Sequence, residues 1–395
     1  MMMAENFMWY VWSSLGGQVA FVVPTPYREE TEERFRNALP GNMLITCVQE
    51  RAQGAWRRIV QGTFWRERLC ELLPPELLGC DIFVVLGGDD FTESYSPLGA
   101  LMELYKFYLF KTRLKKRVFF LGQTVGPFSS WRHPLAIRLL KKLDLITCRD
   151  PLSYEYLKKN GLSNVVLCAD LAFLPLAKEN NQRIGLERNA YTVVPSRLLH
   201  RYMPYMSYPE YVDFWCDLIL YLAEIGDREI FLLPHAMNSP LDDDRLMVQD
   251  IAIALEKKGV HLQNLKIISE ILLPYEMRNA VFCRSLLTIT ARMHAAISTL
   301  AQGGVPINIA YSEKSLGVIG KHFSVEKLVV DVRRFSCREE LLRNVWSSVG
   351  FALENHERLR EAIFARLPII QKLAMQNVSS FVELIGIEPH LDRGI

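Results

Sequence analysis

Residues Cys283–Pro306 read CRSLLTITARMHAAISTLAQGGVP. Ser285 to Thr290 is a short apolar run rich in β-branched residues, the pattern of a strand buried in a parallel sheet. Ala291 to Gln302 follows as a helix, closed by Gly303-Gly304 with Pro306 beyond. Arg292 and His294 therefore fall where the strand ends and the helix begins. Helix-start N–H groups lack intrahelical acceptors, and the helix dipole adds partial positive charge there, so the join suits an anion. An arginine contributes a planar fork for carboxylate or phosphate. A histidine can supply a proton near neutral pH. A second reading of the same residues is structural, with the arginine pairing an internal carboxylate and the histidine capping the helix.

Strands and helices alternate outward from this stretch in both directions. Upstream, strands are expected at Gln18–Val23, Met43–Val48, Asp81–Leu86, Arg117–Leu121, Leu145–Cys148 and Val165–Cys168. Helices are expected at Glu5–Leu15, Arg28–Ala38, Ser96–Leu114, Pro134–Lys142 and Ser153–Asn160. Gln53–Leu73 reads as a basic, aromatic helix whose Arg57, Arg58, Arg66 and Arg68 face solvent or an acidic partner. The polar stretch Lys178–Asn189 is the expected linker. Beyond it come strands at Ala190–Val194, Glu229–Leu233, Leu265–Ile268, Pro306–Ala310 and Leu328–Val332. Helices are expected at Tyr208–Ile225, Asp243–Lys258 and Pro274–Ala280, and mostly over Arg338–Val382 with a break near Pro368. The class is α/β with parallel sheets. The expected division is an N-terminal Rossmann-like domain over 1–180, a C-terminal one over 190–345, and a helical segment over 346–395 that packs back across the domains.

At 395 residues, two domains are the default. The net charge of +2 gives no global attraction to nucleic acid or an anionic membrane, so affinity for an acidic ligand must be local. No basic stripe is interleaved with aromatics, which argues against nucleic-acid binding. The eight cysteines are scattered without a CxxC pair and read as buried reduced thiols of a cytosolic protein. No His or Cys spacing suggests a metal site, and no cofactor is implied. The start, MMMAENFMWYVWSSLGG, carries no Lys or Arg before Arg28, so a signal peptide is not expected. Ser13-Ser14, Gly16-Gly17 and Gln18 interrupt the apolar run from Phe7 to Val23, so a membrane span is not expected either. Peripheral contact through basic patches remains open.

In the second half, Arg197, His235, Arg292, His294, Tyr311 and Lys314 all follow expected strands. In a doubly wound sheet those ends lie along one edge, where ligands bind. So many cations on one edge favour an anionic ligand. In the first half, Gly87-Gly88-Asp89-Asp90 follows a strand, and its glycines allow a ligand or another backbone to come close.

The order VVLGGDD, GQTVGPF, CRDPLS, CADLAF, PSR, LLPH, ARMHAAISTLAQGGVP and YSEK, from Val84 to Gly317, resembles the polysaccharide pyruvyl transferases. The resemblance implies two Rossmann-like domains in a GT-B-like arrangement. It also implies transfer of an enolpyruvyl unit from phosphoenolpyruvate to a saccharide, as a ketal, in cell-surface polysaccharide biosynthesis. By that resemblance Arg292 and Arg197 hold the donor, the Met293 N–H adds to the anion site, and His294 is the general acid. Lys314 and His235 contact phosphate or acceptor. Asp89 and Asp90 orient acceptor hydroxyls, or else form a turn or helix cap. Arg149 and Asp150 are expected to pair with each other or brace the side facing the other domain, and Asp170 to be a loop or cap residue. The acceptor would be a saccharide, in some pathways lipid-linked at the cytoplasmic face.

Members of the family commonly begin with a strand and a Gly-Asn-x-Gly-Asp loop before the helix seen here at Glu5–Leu15. The N-terminal domain is therefore expected to lack that strand and loop, which bears on acceptor binding. Two other readings share the architecture. One is a GT-B glycosyltransferase using a nucleotide sugar, which would want an acidic ribose-binding residue, and only Glu313 beside Lys314 stands near the last βα unit. The other is a non-catalytic, sugar-binding descendant.

Overall fold

The computed structural model describes residues 2–49, 59–71, 73–93, 96–179, 188–236, 242–260, 262–270, 272–312 and 314–386. The chain divides into two compact units, Met1–Lys178 with Gln371–Ile395, and Glu179–Ile370.

In the first unit, β1 (Ala20–Thr25) and β2 (Leu44–Gln49) pair in parallel. They flank the charged helix α2 (Arg28–Ala38), which follows the N-terminal helix α1 (Met2–Ser14) in the chain. A second parallel sheet has the order β3-β4-β5-β6: Ile82–Phe91, Arg117–Val125, Leu145–Cys148 and Val165–Leu167. The connecting helices are α3 (Pro97–Thr112), α4 (Arg132–Leu140) and α5 (Pro151–Lys159). Each of α3 and α5 starts as its sequence dictates, with Pro in the first turn and a side-chain cap. Ser96 accepts from the Gly99 N–H, and Asp150 from the Ser153 N–H at 2.8 Å. Phe91 and Phe120 stack with centroids 4.3 Å apart in the core beneath α3.

Two strands run further than their composition suggests. β3 continues through Gly87-Gly88-Asp89-Asp90, and β4 continues through Gly122-Gln123-Thr124. Gly88 still pairs with Gln123, and an irregularity between Gly88 and Phe91 absorbs the change of register. Gly87 and Gly88 have φ of 32° and 147°, a backbone that glycine adopts without penalty. A Cβ on Gly87 would run into the Met3 sulfur, so this glycine makes room for α1. Gln53–Leu73 is not one helix: its described part turns at Gly62–Phe64 and is helical over Arg66–Cys70. Arg57 and Arg58 lie outside the described residues, as does most of the expected linker, 180–187.

The second unit holds a six-stranded parallel sheet, β12-β11-β10-β7-β8-β9. Its strands are β7 (Ala190–Val194), β8 (Glu229–Leu232), β9 (Leu265–Ile267), β10 (Ser285–Thr290), β11 (Val305–Ala310) and β12 (Val329–Asp331). From β7 the chain winds outward to β8 and β9, returns to the other side of β7 as β10, and winds outward again. The switch point therefore lies between β7 and β10. The helices are α6 (Tyr208–Glu224), α7 (Asp244–Lys257), α8 (Met293–Ala301) and α9 (Arg338–Glu354). A Ser207/Glu210 capping box starts α6, which then buries Tyr211, Phe214, Trp215, Leu218 and Leu222. Pro274–Ala280 begins as an α-helical turn and continues as a π-helical one.

The last helix, α10, runs unbroken from His356 to Ile385, and the division between the units falls within it. The expected break at Pro368 is absent, and the chain breaks instead at Asn355, between α9 and α10. Pro368 and Phe364, whose carbonyl would have received the missing N–H, are both on the exposed side. Water can satisfy that carbonyl, so the helix tolerates the proline. The eight cysteines are all free, and burial pushes the Cys168 thiol up to about 12. Among the described residues, no helix is long and apolar enough to cross a membrane.

Candidate functional site

The edge of the second sheet is built around Asp244, the first residue of α7. Its side chain is fully buried. Oδ1 accepts the backbone N–H of Arg197 at 3.1 Å. Oδ2 accepts the N–H of Ala236 at 2.9 Å and of His235 at 3.4 Å. The Arg292 guanidinium closes on the same carboxylate with a two-point fork, Nε to Oδ2 at 2.9 Å and Nη2 to Oδ1 at 2.6 Å. One carboxylate thus ties together the residues that follow β7, β8 and β10, beside the switch point.

Arg292 is the N-cap of α8 and is held at both ends. Its N–H donates to Thr290 Oγ1 at 2.9 Å, and Nη2 also donates to Asp242 Oδ1 at 2.6 Å. Its side chain keeps 14% exposure, against 30% for Asp242. Burial works against the Arg292 charge, yet Asp244 and Asp242 outweigh it and raise the guanidinium pKa above its ordinary value. The structural reading of this arginine is therefore realised in the structure: its fork grips internal carboxylates. Met293 and His294 are the first two residues of α8, half-buried, in the turn where helix N–H groups carry partial positive charge.

The remaining cations gather on aromatic rings. Arg197 Cζ lies 5.8 Å from the ring centroid of Tyr208. Burial, with the hydrogen bond Tyr208 donates to Asp250, pushes that phenol up to about 12. Tyr202, at the end of the short 3₁₀ turn after Arg197, stacks on Tyr311 with centroids 4.2 Å apart. Lys314 donates to Tyr311 Oη at 3.1 Å, and its Nζ is 4.8 Å from the same ring. The ends of β7 and β11 are thereby joined as well. Glu313 lies outside the described residues.

In the first unit the polar residues also collect at strand ends. Arg149 is fully buried, with Nη1 to Asp170 Oδ2 at 2.8 Å, Nε to Thr124 Oγ1 at 3.0 Å, and Nη2 to the Gly88 carbonyl at 2.9 Å. Of the two expected roles of Arg149 and Asp150, the pairing with each other is not formed: Arg149 pairs with Asp170. Asp150 is spent on capping α5, and Asp170 is the carboxylate within reach. Asp170 also caps the 3₁₀ turn Leu171–Phe173. Burial opposes the Arg149 charge, but Asp170 and Asp89 raise its pKa regardless. Asp89 and Asp90 lie in the irregular end of β3, where the Thr92 N–H donates to the Asp89 carbonyl at 3.2 Å and closes a turn, and neither caps a helix. The Asp89 carbonyl accepts from Thr92 Oγ1 at 2.8 Å, and Asp90 is exposed.

Sequence reasoning placed Arg197, His235 and Arg292 on one edge but missed Asp244 and Asp242, the carboxylates that hold Arg292. The available signal was LDDDR at 241–245, three acids at the start of a helix. Asp243 alone caps that helix, which leaves its neighbours for other partners.

Two parallel α/β units, the second doubly wound with Arg197, Arg292 and Lys314 beyond the ends of its strands, define a Rossmann-like α/β protein. Residues 8–313 match the family described as polysaccharide pyruvyl transferase; the chain belongs to that family and is a transferase. It is similar to the amylovoran biosynthesis protein AmsJ of Erwinia amylovora, at 23% identity over 72% of this chain and 68% of that protein. Its fold is similar to a Listeria monocytogenes protein assigned as a UDP-N-acetylglucosamine 2-epimerase, with TM-score 0.61 and 13% identity over 98% of this chain and 94% of the other. It is also similar to S. aureus MnaA solved with UDP, with TM-score 0.60 and 11% identity over the same shares. At such identities the likeness shows the fold alone.

Proposed function

We propose that the chain transfers a pyruvyl unit from phosphoenolpyruvate to two hydroxyls of a saccharide in polysaccharide synthesis. The observation that carries this reading is Asp244 drawing the ends of β7, β8 and β10 to one point beside the switch point. Arg197, His235 and the first turn of α8 then share one edge. A donor with a carboxylate and a phosphate needs cations at both ends, and Arg197, Lys314 and the α8 start supply them. Arg292 takes a different role from a bare anion clamp. Asp244 keeps it in place, and the half-exposed Asp242 is the carboxylate that an incoming anion displaces from Nη2.

His294 is the general acid of this proposal. It protonates the methylene carbon, and C2 becomes oxocarbenium-like and is attacked by one hydroxyl. The C2–O bond to phosphate then breaks, and the second hydroxyl closes the ketal. The two hydroxyl protons end on the new methyl group and on phosphate, so the step balances without an oxidant. Asp89 and Asp90, in the first unit, are the proposed acceptor contacts.

The test is a thermal-shift titration with phosphoenolpyruvate and with a panel of nucleotide sugars, for the wild type and Arg197→Ala. Ligand that binds only the native state raises the melting temperature by mass action. A shift with phosphoenolpyruvate that disappears in Arg197→Ala supports the reading. A shift with nucleotide sugars alone overturns it.

A further inference from the structure

Helix α4 carries a face that neither the fold nor the proposed reaction uses. Its exposed positions are Trp131, Pro134, Leu135, Arg138, Lys141 and Lys142, which recur with helical spacing along one side. Trp131 is 59% exposed and Leu135 38%. Arg138, Lys141 and Lys142 stand on the same side, and among the described residues no carboxylate lies within ion-pair distance of any of them. A shallow cavity of about 510 Å³ opens between these side chains, lined by His133, Pro134, Ile137, Arg138, Lys141 and Lys142, with no acidic residue in its wall. The chain as a whole is nearly neutral, so this concentration of cations is a local asymmetry.

The face is held rigid from below. Ala136, Ile137, Leu139 and Leu140 are buried on the opposite side. His133 Nδ1 lies 2.9 Å from Tyr156 Oη, which also accepts the Phe128 N–H at 3.0 Å. Arg132 forks onto Glu93 at 2.5 and 3.1 Å, which fixes the first turn. Trp131 is therefore presented from a braced helix.

We propose that this face docks on the surface of an anionic lipid bilayer. The combination selects that partner. Headgroup phosphates meet Arg138, Lys141 and Lys142, while Trp131 and Leu135 enter the boundary between headgroups and acyl chains, a zone that favours the amphipathic indole. The long stems of the cations lie along the apolar layer with their charges in the headgroups. A polyanion without an apolar layer would leave Leu135 in water. Such docking brings the first unit to a surface where membrane-bound saccharides could be presented. It does not depend on the donor assignment.

The experiment is cosedimentation of the full chain with phosphatidylcholine vesicles, with and without phosphatidylglycerol. Binding needs neither donor nor turnover, so its failure and the failure of the phosphoenolpyruvate titration are separate results. The expected outcome is binding only to vesicles containing phosphatidylglycerol, reversed by salt. Each cation near such a surface contributes about fivefold in affinity, so Arg138→Gln/Lys141→Gln/Lys142→Gln should bind on the order of 100-fold more weakly. Trp131→Ala should weaken binding at unchanged melting temperature. Should the triple variant melt early, Lys142→Gln carries the same test with a fivefold loss. Equal sedimentation of variants and wild type, equal binding to neutral vesicles, or no binding to either kind overturns the proposal.

Discussion

Asp244 and Arg292, 48 residues apart in the chain, are locked by a two-point fork of 2.9 and 2.6 Å in which the carboxylate is wholly buried. The same carboxylate takes backbone N–H groups from beyond β7 and β8. Removing it leaves the Arg292 guanidinium with Asp242 alone and orphans three backbone N–H groups in two loops. Breaking a buried pair from one side costs about 3–5 kcal/mol. Asp244→Ala should lower the melting temperature by many degrees. A fall no larger than that of an exposed Asp→Ala substitution would show that the carboxylate does not hold this edge together.

Asp242 grips the same arginine from a more exposed position, and the difference is functional in the proposed reaction. Asp242→Asn should leave stability within about 1 kcal/mol of wild type, the usual scale for a partly solvated pair. It should also lower the KM for phosphoenolpyruvate, because the donor no longer competes with a carboxylate for Nη2. Steady-state kinetics at fixed acceptor reads this directly. A raised KM would mean that Asp242 contacts substrate instead.

Much of the architecture was legible because its signals are local. The β-branched run Ser285–Thr290 and the glycines after α8 mark their elements whatever surrounds them. The edge residues Arg197, His235 and Arg292 followed from position alone, since C-terminal strand ends share one side of a parallel sheet. What those residues touch was not legible. The fork between Asp244 and Arg292 depends on the register of α7 against β10, which no short window contains. Gly87-Gly88 read as following the strand, but pairing of Gly88 with Gln123 kept the segment in the sheet. Pro368 read as a break, but its lost hydrogen bond faces water.

His294 tests the chemistry. As a general acid it should contribute roughly 10²–10⁴ in rate. His294→Ala should therefore lower kcat by that factor while phosphoenolpyruvate still shifts the melting temperature. His294→Gln should be similarly slow, since an amide can hydrogen-bond but cannot give up a proton to carbon. Retained kcat in His294→Gln would assign the residue to binding and send the search for the acid to His235.

Glu93 supplies the acid-side pH dependence of the helix that carries the basic face. Its hydrogen bonds from Arg132, then from Ser129, hold the carboxyl down to about 2 from an ordinary value of 4.5. A carboxyl depressed in the folded state stabilises it fully above the ordinary value, and that contribution is lost as pH falls from 4.5 towards 2. The urea midpoint of the wild type should exceed that of Glu93→Gln near neutrality, and the two should converge over that acid window. High salt should narrow the gap at neutral pH, because Arg132 and Glu93 both keep some contact with solvent. The α4 brace then predicts a second readout: Glu93→Gln should loosen the first turn of α4 and broaden the Trp131 emission. A gap between wild type and variant that persisted unchanged down to pH 2 would mean that Glu93 stabilises the fold through packing rather than through its charge.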